Sequence, residues 1–339
     1  MCITVSHPLA VKGAECINER EYRDTKLMTL APPHFDGTRF YNPHSSQARG
    51  LLEVLRWKLT SRPEKTKFAK DVVATAPPKR IEDGVLGVTL VNHSTVLLQR
   101  SGKNILTDPV WSERVSPVSW AGPRRHRAPG VSLDHLPEIH LVLLSHNHYD
   151  HLDLPSLREI QRQWRPAFVA PLGVEHFLKA QGFRNVHGLD WGQQVTVDGM
   201  AVHSVPALHF SARGLFDRNK TLWCGYVIDS EIYFAADTGF GAHFQAIRDH
   251  FGPPRLALLP IGAYLPRWFM SPVHMGPDDA VRAHQILQAR TSIAIHHGTF
   301  QLADEGIDTP KRELARHLEE AGIDASIFRT LANGQYFEC

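Results

Sequence analysis

Residues 145–153 read Ser-His-Asn-His-Tyr-Asp-His-Leu-Asp, which puts four metal-capable side chains, His146, His148, Asp150 and His151, inside six positions. Imidazole and carboxylate are the donors of zinc and of similar first-row metals. The cluster follows Ile139–Ser145, a nearly all-apolar run of the kind that forms a buried strand. A loop leaving a rigid strand end can turn alternate side chains to one side. His146 and His148 can therefore share one metal, while Asp150 and His151, beyond the turn, serve a second. A polar loop capping the following helix is the plain alternative, and three His plus an Asp at this spacing weigh against it.

Four donors in one loop do not complete two metal sites, so more are needed at other strand ends. Val205–His209 ends an apolar run with a His, and Phe234–Gly239 ends one with Asp237 before a glycine. Ile293–Phe300 ends one with His296 and His297. Each is weak alone, because a single His at a strand end is commonly structural. Their succession after the first cluster is the signal.

These loops need elements to hold them. Gly87–Val91, Thr95–Gln99 and Asn104–Thr107 are short β-branched runs separated by turn residues and read as antiparallel strands. Ala167–Ala170, Gln194–Val197, Ala201–Val205, Trp223–Ile228, Glu231–Ala235, Leu256–Leu259 and Ser292–Ile295 read as further strands, and Ser326–Phe328 as a short last one. Helical spacing marks Leu51–Leu59, Leu154–Trp164, Val174–Gln181, Ala242–Phe251, Pro277–Leu287 and Pro310–Ala321. Strands first, then strand–helix pairs, twice over, predict two face-to-face sheets with helices outside. Residues 1–83 differ, being rich in turns such as Ala31-Pro32-Pro33-His34 and Asn42-Pro43. They read as an N-terminal extension packed on a domain spanning 84–339, with a loose tail over the first 25 or so residues.

Composition excludes several classes. The chain has 339 residues with 37 Lys+Arg against 35 Asp+Glu, so no basic field points to nucleic acid. Four cysteines, Cys2, Cys16, Cys224 and Cys339, form no closely spaced set, which disfavours a disulfide framework or a Cys-based zinc site. No apolar stretch is long enough to span a bilayer, and the N-terminus lacks the continuous apolar region of a signal peptide. The expectation is a cytoplasmic protein, with peripheral membrane contact left open. The 21 histidines are many, but most have no arguable role.

With these words in place, the sequence resembles the metallo-β-lactamase superfamily, whose first motif is HxHxDH. It is most similar to the branch of N-acylphosphatidylethanolamine-hydrolysing phospholipase D and its bacterial relatives. The resemblance rests on FDGTRFYNP (35–43), LTDPVWSERVSPVSWAGPRRHR (106–127), LLSHNHYDHLD (143–153), LDWG (189–192), FAADTGF (234–240), PIGAYLPRWFM (260–270), HMGPDDAV (274–281) and AIHHGTF (294–300). It implies a four-layer αββα sandwich of the α/β (α+β) class. It implies two Zn2+ (or other divalent metals), one on His146, His148 and His209, the other on Asp150, His151 and His296, with Asp237 bridging. It favours His296 over His297, which stands where the family usually has an aromatic residue. His93, in Val91-Asn92-His93-Ser94-Thr95, is expected beside the metals rather than on them.

Such metals lower the pKa of bound water from about 15.7 to near 7, so no Ser or Cys nucleophile is required. Asp150 is expected to combine ligation with proton handling, and His274 and Tyr264 to contact phosphate or protonate a leaving group. Tyr264, Trp268 and His93 are grouped on the substrate side. The basic and aromatic segment Trp111–Arg127 reads equally as a head-group site or a structural loop. The implied reaction is phospholipase D-type hydrolysis of N-acyl phosphatidylethanolamine-like lipids to N-acylethanolamine and phosphatidic acid. Another hydrolase of this scaffold, acting on a lactone or a soluble phosphodiester, is the alternative. A non-catalytic metal-binding protein is the remote one. The expected partner is a phospholipid or small phosphodiester, not nucleic acid, and a homodimer is compatible with the sequence.

Overall fold

The structure, a computed structural model, describes residues 32–43, 50–66, 76–79 and 81–339. The loose tail expected over the first 25 or so residues lies outside them, as do Cys2 and Cys16. The first regular element is helix α1 (Leu51–Thr60). Strands β1 (Leu86–Asn92), β2 (Thr95–Arg100), β3 (Lys103–Thr107), β4 (Leu141–Leu143), β5 (Ala167–Pro171) and β6 (Val186–Leu189) follow. With a last strand paired to β1 they form one seven-stranded sheet. Strands β7 (Gln194–Val197), β8 (Met200–Val205), β9 (Gly225–Ile228), β10 (Ile232–Phe234), β11 (Leu256–Pro260), β12 (Thr291–Ile295) and β13 (Phe328–Arg329) form the second. The last strand, β14 (Tyr336–Glu338), returns to the first sheet.

The layers follow from alternation along the strands. Leu141 and Leu143 of β4 and Leu256 and Leu258 of β11 face the core between the sheets, with Tyr226 and Phe234. Val142 of β4 faces outward onto α2 (Leu154–Trp164) and α3 (Val174–Ala180), through Leu157, Ile160, Val174 and Leu178. Ala257 and Leu259 of β11 face α4 (His243–Phe251), α6 (Pro277–Leu287) and α7 (Thr309–Glu320) on the other side. The short α5 (Arg267–Met270) lies between β11 and α6. Each fully buried Leu or Phe contributes about 1.5–3 kcal/mol, so three apolar interfaces hold the four-layer sandwich. This is the expected αββα architecture.

Three local readings differ. Residues 267–270 form a helical turn that no helical spacing marks in the sequence. β6 was not foreseen, because Val186-His187-Gly188-Leu189 lacks an apolar alternation and depends on parallel pairing with β5. β14 was missed because its stability comes from β1, some 250 residues earlier in the chain. Among the described residues no helix is long and apolar enough to cross a membrane.

β3, β4 and β5 run parallel, as do β10, β11 and β12, so their C-terminal ends point the same way in each sheet. The loops carrying donors all leave from such ends or from the end of β8.

Candidate metal centre

His146, His148, Asp150 and His151 leave β4; His209 follows β8, Asp237 follows β10 and His296 follows β12. All seven converge between the two sheets. In one group, His148 Nδ1 lies 2.9 Å from His146 Nε2 and 3.2 Å from His209 Nε2. In the other, His151 Nε2 and His296 Nε2 stand 3.3 and 3.4 Å from Asp150 Oδ2. Asp237 Oδ2 faces both groups. It is 3.1 Å from His151 and from His296, 3.8 Å from His209 and 4.0 Å from His146.

The backbone is unusual here. Asp108, Ala236, His296 and His93 have φ of 35°, 53°, 57° and 48°, values that residues other than glycine rarely adopt. Such conformations persist where surrounding contacts over-determine them, and they concentrate at functional sites. Gly262 shows the crowding: a Cβ there would sit 2.0 Å from the His296 carbonyl oxygen.

Hydrogen bonds assign the imidazole protons. His209 Nδ1 donates to the Val273 carbonyl at 2.9 Å, leaving a lone pair on Nε2. Ser145 Oγ donates to Asp108 at 2.6 Å and so accepts from His146 Nδ1 at 2.9 Å, leaving a lone pair on that Nε2 as well. His148 Nδ1 carries at most one proton for these two neighbours. At least one lone pair then faces another unless a cation sits among them. Tetrahedral donors at a zinc–nitrogen distance of about 2.0–2.1 Å stand about 3.3 Å apart, close to what is seen. In the second group His151 Nε2, His296 Nε2 and Asp237 Oδ1 are buried without hydrogen-bond partners. Donor type, spacing and orphaned atoms all fit divalent metal ions.

Electrostatics separates the groups. Burial, reinforced by neighbouring imidazoles, holds His146 well below its ordinary pKa and His148 down to about 3. Burial outweighs Asp237 to hold His209 at about 4. These three are neutral, as ligands must be. For His296, burial is outweighed by Asp237 and Asp150, which raise it to about 9. His151 is raised well above its usual value against the same burial, by Asp237, Asp150 and Asp108. Without metal, protons on His151 and His296 answer the carboxylates.

Several supports were not read from the sequence. Asp108, fully buried at the end of β3, accepts from His151 Nδ1 at 2.7 Å and from the Ser145 amide and hydroxyl. Its signal was the LTDP word, whose Asp was not singled out. Arg213 Nη1 donates to the Asn147 and Leu152 carbonyls at 2.9 and 2.8 Å and lies over the Tyr149 ring, bracing the His146–His151 loop. Asn42, from the N-terminal arm, donates to the His209 carbonyl at 2.8 Å and accepts from Trp223 Nε1 at 3.1 Å.

A cavity of about 290 Å³ opens over the centre. His148, Asp150, Asp237 and His274 form its polar floor. Val54 and Trp57 of α1, with Phe210, Phe269, Met270, Val273 and Leu302, form apolar walls. His274 thus lies where expected, with Nδ1 3.9 Å from Asp237 Oδ2. The other substrate-side residues do not line this cavity. His93 is 1% exposed, and its Nε2 meets Asp150 Oδ2 at 3.1 Å. Tyr264 is buried in a loop held by Glu305, which accepts from the Ala263 and Leu265 amides. Trp268 is half-exposed with Arg56 over its ring. His297 joins no donor group and lines a small void with Glu305, Gly306 and Pro310.

A sandwich with clustered His and Asp donors at its strand ends, under an open cavity, defines a metallohydrolase class. A β-lactamase superfamily domain matches residues 103–297. The chain is 35% identical over 346 residues to N-acyl-phosphatidylethanolamine-hydrolyzing phospholipase D 1 of Caenorhabditis elegans, covering 93% of this chain and 96% of that one. It is 34% identical to the mitochondrial enzyme of that name from Saccharomyces cerevisiae, covering 66% of this chain and 50% of that one. Among solved structures, the metallohydrolase Igni18 of Ignicoccus hospitalis shares the fold with a TM-score of 0.57 and 24% identity, over 75% of this chain and 98% of that one. The chain belongs to the β-lactamase superfamily of hydrolases, in the branch of the N-acylphosphatidylethanolamine-hydrolysing phospholipases D.

Proposed function

We propose that this protein is a two-zinc phosphodiesterase of phospholipase D type. Its substrates are N-acyl phosphatidylethanolamine-like lipids, and its products are an N-acylethanolamine and phosphatidic acid. His146, His148 and His209 would hold one ion, Asp150, His151 and His296 the other, and Asp237 both. The observation that carries the reading is Asp237 Oδ2, which faces both donor groups at 3.1–4.0 Å beneath a half-apolar cavity. The similarity to the nematode enzyme over nearly both full lengths supports the substrate class.

Bound divalent ions supply Lewis acidity, which activates water near neutral pH and offsets charge on a phosphoryl oxygen. The chain's own groups do the rest. Asp150 is within reach of His93, His151 and His296, so its orientation is fixed for proton handling. Asp150 would pass the proton taken from the attacking water to the departing ethanolamide oxygen as the phosphorus–oxygen bond breaks, and His274, kept neutral by burial, would donate a hydrogen bond to the phosphate from the cavity lining. The cavity has room for the phosphate and the groups next to it but not for the three acyl chains of such a lipid. The chains must extend beyond the cavity, and on α1, which lines it through Val54 and Trp57, Leu52, Leu55 and Leu59 are 81%, 56% and 77% exposed. These leucines lie along the helix at spacings of three and four, beside Arg56 and Lys58, as a surface resting on anionic lipid would.

The limited cavity volume also favours a second reading, a soluble phosphodiester. A substrate panel with a His146→Ala control separates them: N-acyl phosphatidylethanolamine, bis-p-nitrophenyl phosphate, an acyl-homoserine lactone and a β-lactam. Turnover of the lipid with two zinc equivalents per chain is expected. Turnover of the lactone alone sinks the proposal.

A further inference from the structure

Among the described residues lining the cavity, Arg218 is the one side chain with a permanent positive charge. Its guanidinium lies 5.2 Å from the centroid of the Phe210 ring, and that ring packs 4.6 Å from the His148 ring. Arg218 thus shares the cavity with His148 and is linked to it through the Phe210 ring. Its backbone is fixed from both sides. Arg39 of the N-terminal arm donates to the Arg218 carbonyl, and the neighbouring Asn219 carbonyl accepts from the Phe40 amide at 2.8 Å. The 211–221 loop is also closed on itself: the Ser211 hydroxyl donates to the Thr221 carbonyl at 2.6 Å, and the Arg213 and Gly214 amides donate to Asp217.

We infer that Arg218 is a specificity-determining residue that reads the negative charge of the substrate's phosphodiester and so disfavours uncharged esters and lactones. The inference rests on the phosphodiesterase reading above. A guanidinium can hydrogen-bond non-bridging phosphate oxygens, and here it lines a cavity that also holds Trp57, Phe269, Met270 and Leu302. The cavity then offers both a charge and a surface for hydrocarbon. Arg218 belongs to no donor group, so its contribution is to binding the anion, before the bond-breaking step.

The test uses the zinc-loaded full chain with bis-p-nitrophenyl phosphate as the anionic substrate. Arg218→Gln should raise KM about tenfold and leave kcat within about twofold. Arg218→Lys should recover most of the KM. The wild-type KM should climb with added salt, and that of Arg218→Gln should stay nearly flat. Equal zinc content and equal melting temperature in the variants show that the site and fold are intact. An Arg218→Gln enzyme with wild-type KM, or with kcat reduced at unchanged KM, overturns the inference, as does an Arg218→Lys enzyme no better than Arg218→Gln. A wild-type enzyme inactive on every phosphodiester overturns the phosphodiesterase reading itself, which is a distinct result.

Discussion

The floor of the site and its rim are built by opposite rules. On the floor, some polar atoms are packed together without hydrogen-bond partners, His151 Nε2, His296 Nε2 and Asp237 Oδ1 among them. On the rim, polar groups are paired and apolar ones face outward. Trp57 Nε1 and the Ser61 hydroxyl both donate to Asp304, Thr309 donates to Glu64, and Leu52, Leu55 and Leu59 stand in solvent. Unsatisfied buried groups are costly and persist where an ion completes them. Exposed apolar groups in a row persist where another apolar phase covers them. Under the proposed function, chemistry would belong to the floor and substrate delivery to the rim.

Substitutions on the floor should have the largest effect. Asp237→Ala removes the group that faces both donor sets. It should lower activity at least about 10³-fold and reduce bound metal, measured on the same sample by metal analysis. Next is the join between the regions. Asn42→Ala should weaken metal retention about 10–100-fold, read by chelator competition, because it frees the backbone of His209. Retention equal to the wild type would detach the arm from the metal centre.

Rim substitutions should act on stability or on lipid use alone. Asp304→Ala leaves Trp57 Nε1 and the Ser61 hydroxyl without their acceptor, and should cost about 1–3 kcal/mol in denaturant unfolding. The arm also has a pH-dependent contact. His34 stacks on Trp191 and meets Asp190 at 2.7 Å; burial opposes its charge, but Asp190 prevails and raises its pKa. A raised folded pKa means that this contact stabilises fully below about pH 6.5 and is lost as pH rises through the higher folded value. Proteolysis of the arm should therefore quicken above that range, and a His34→Phe variant should show no such step. The smallest effect on folding is expected for Leu55→Gln, within about 0.5 kcal/mol. The same variant should hydrolyse lipid vesicles more slowly and a soluble diester at the wild-type rate. A parallel loss on both substrates would make the exposed leucines structural.

The floor was legible because chemistry there depends on residue type at strand ends. His146, His148, Asp150 and His151 share one loop, and His209, Asp237 and His296 each follow an apolar run. The supports were not legible. Asn42 and His209 are 167 positions apart, and a side chain bonded to a distant carbonyl leaves no periodic trace. Asp108 sits in a quoted word, but its role depends on the imidazole that the fold brings to it. The helix at Leu51–Thr60 was visible from spacing, yet which of its faces turns outward depends on the cavity below, and α1 sends Val54 and Trp57 inward while three leucines face solvent. His93 was expected beside the centre and on the substrate side; it is buried with its Nε2 on Asp150, a contact that the sequence does not display.

The donors come from both sheets: His146, His148, Asp150 and His151 follow β4 of the first, and His209, Asp237 and His296 follow strands of the second. An ion held among them is a cross-link between the halves of the sandwich, closing long stretches of chain much as a disulfide would. Chelation should then do more than silence the enzyme. It should let the two sheets part more readily, so metal supply in the cell would govern how long each molecule lasts as well as how fast it works.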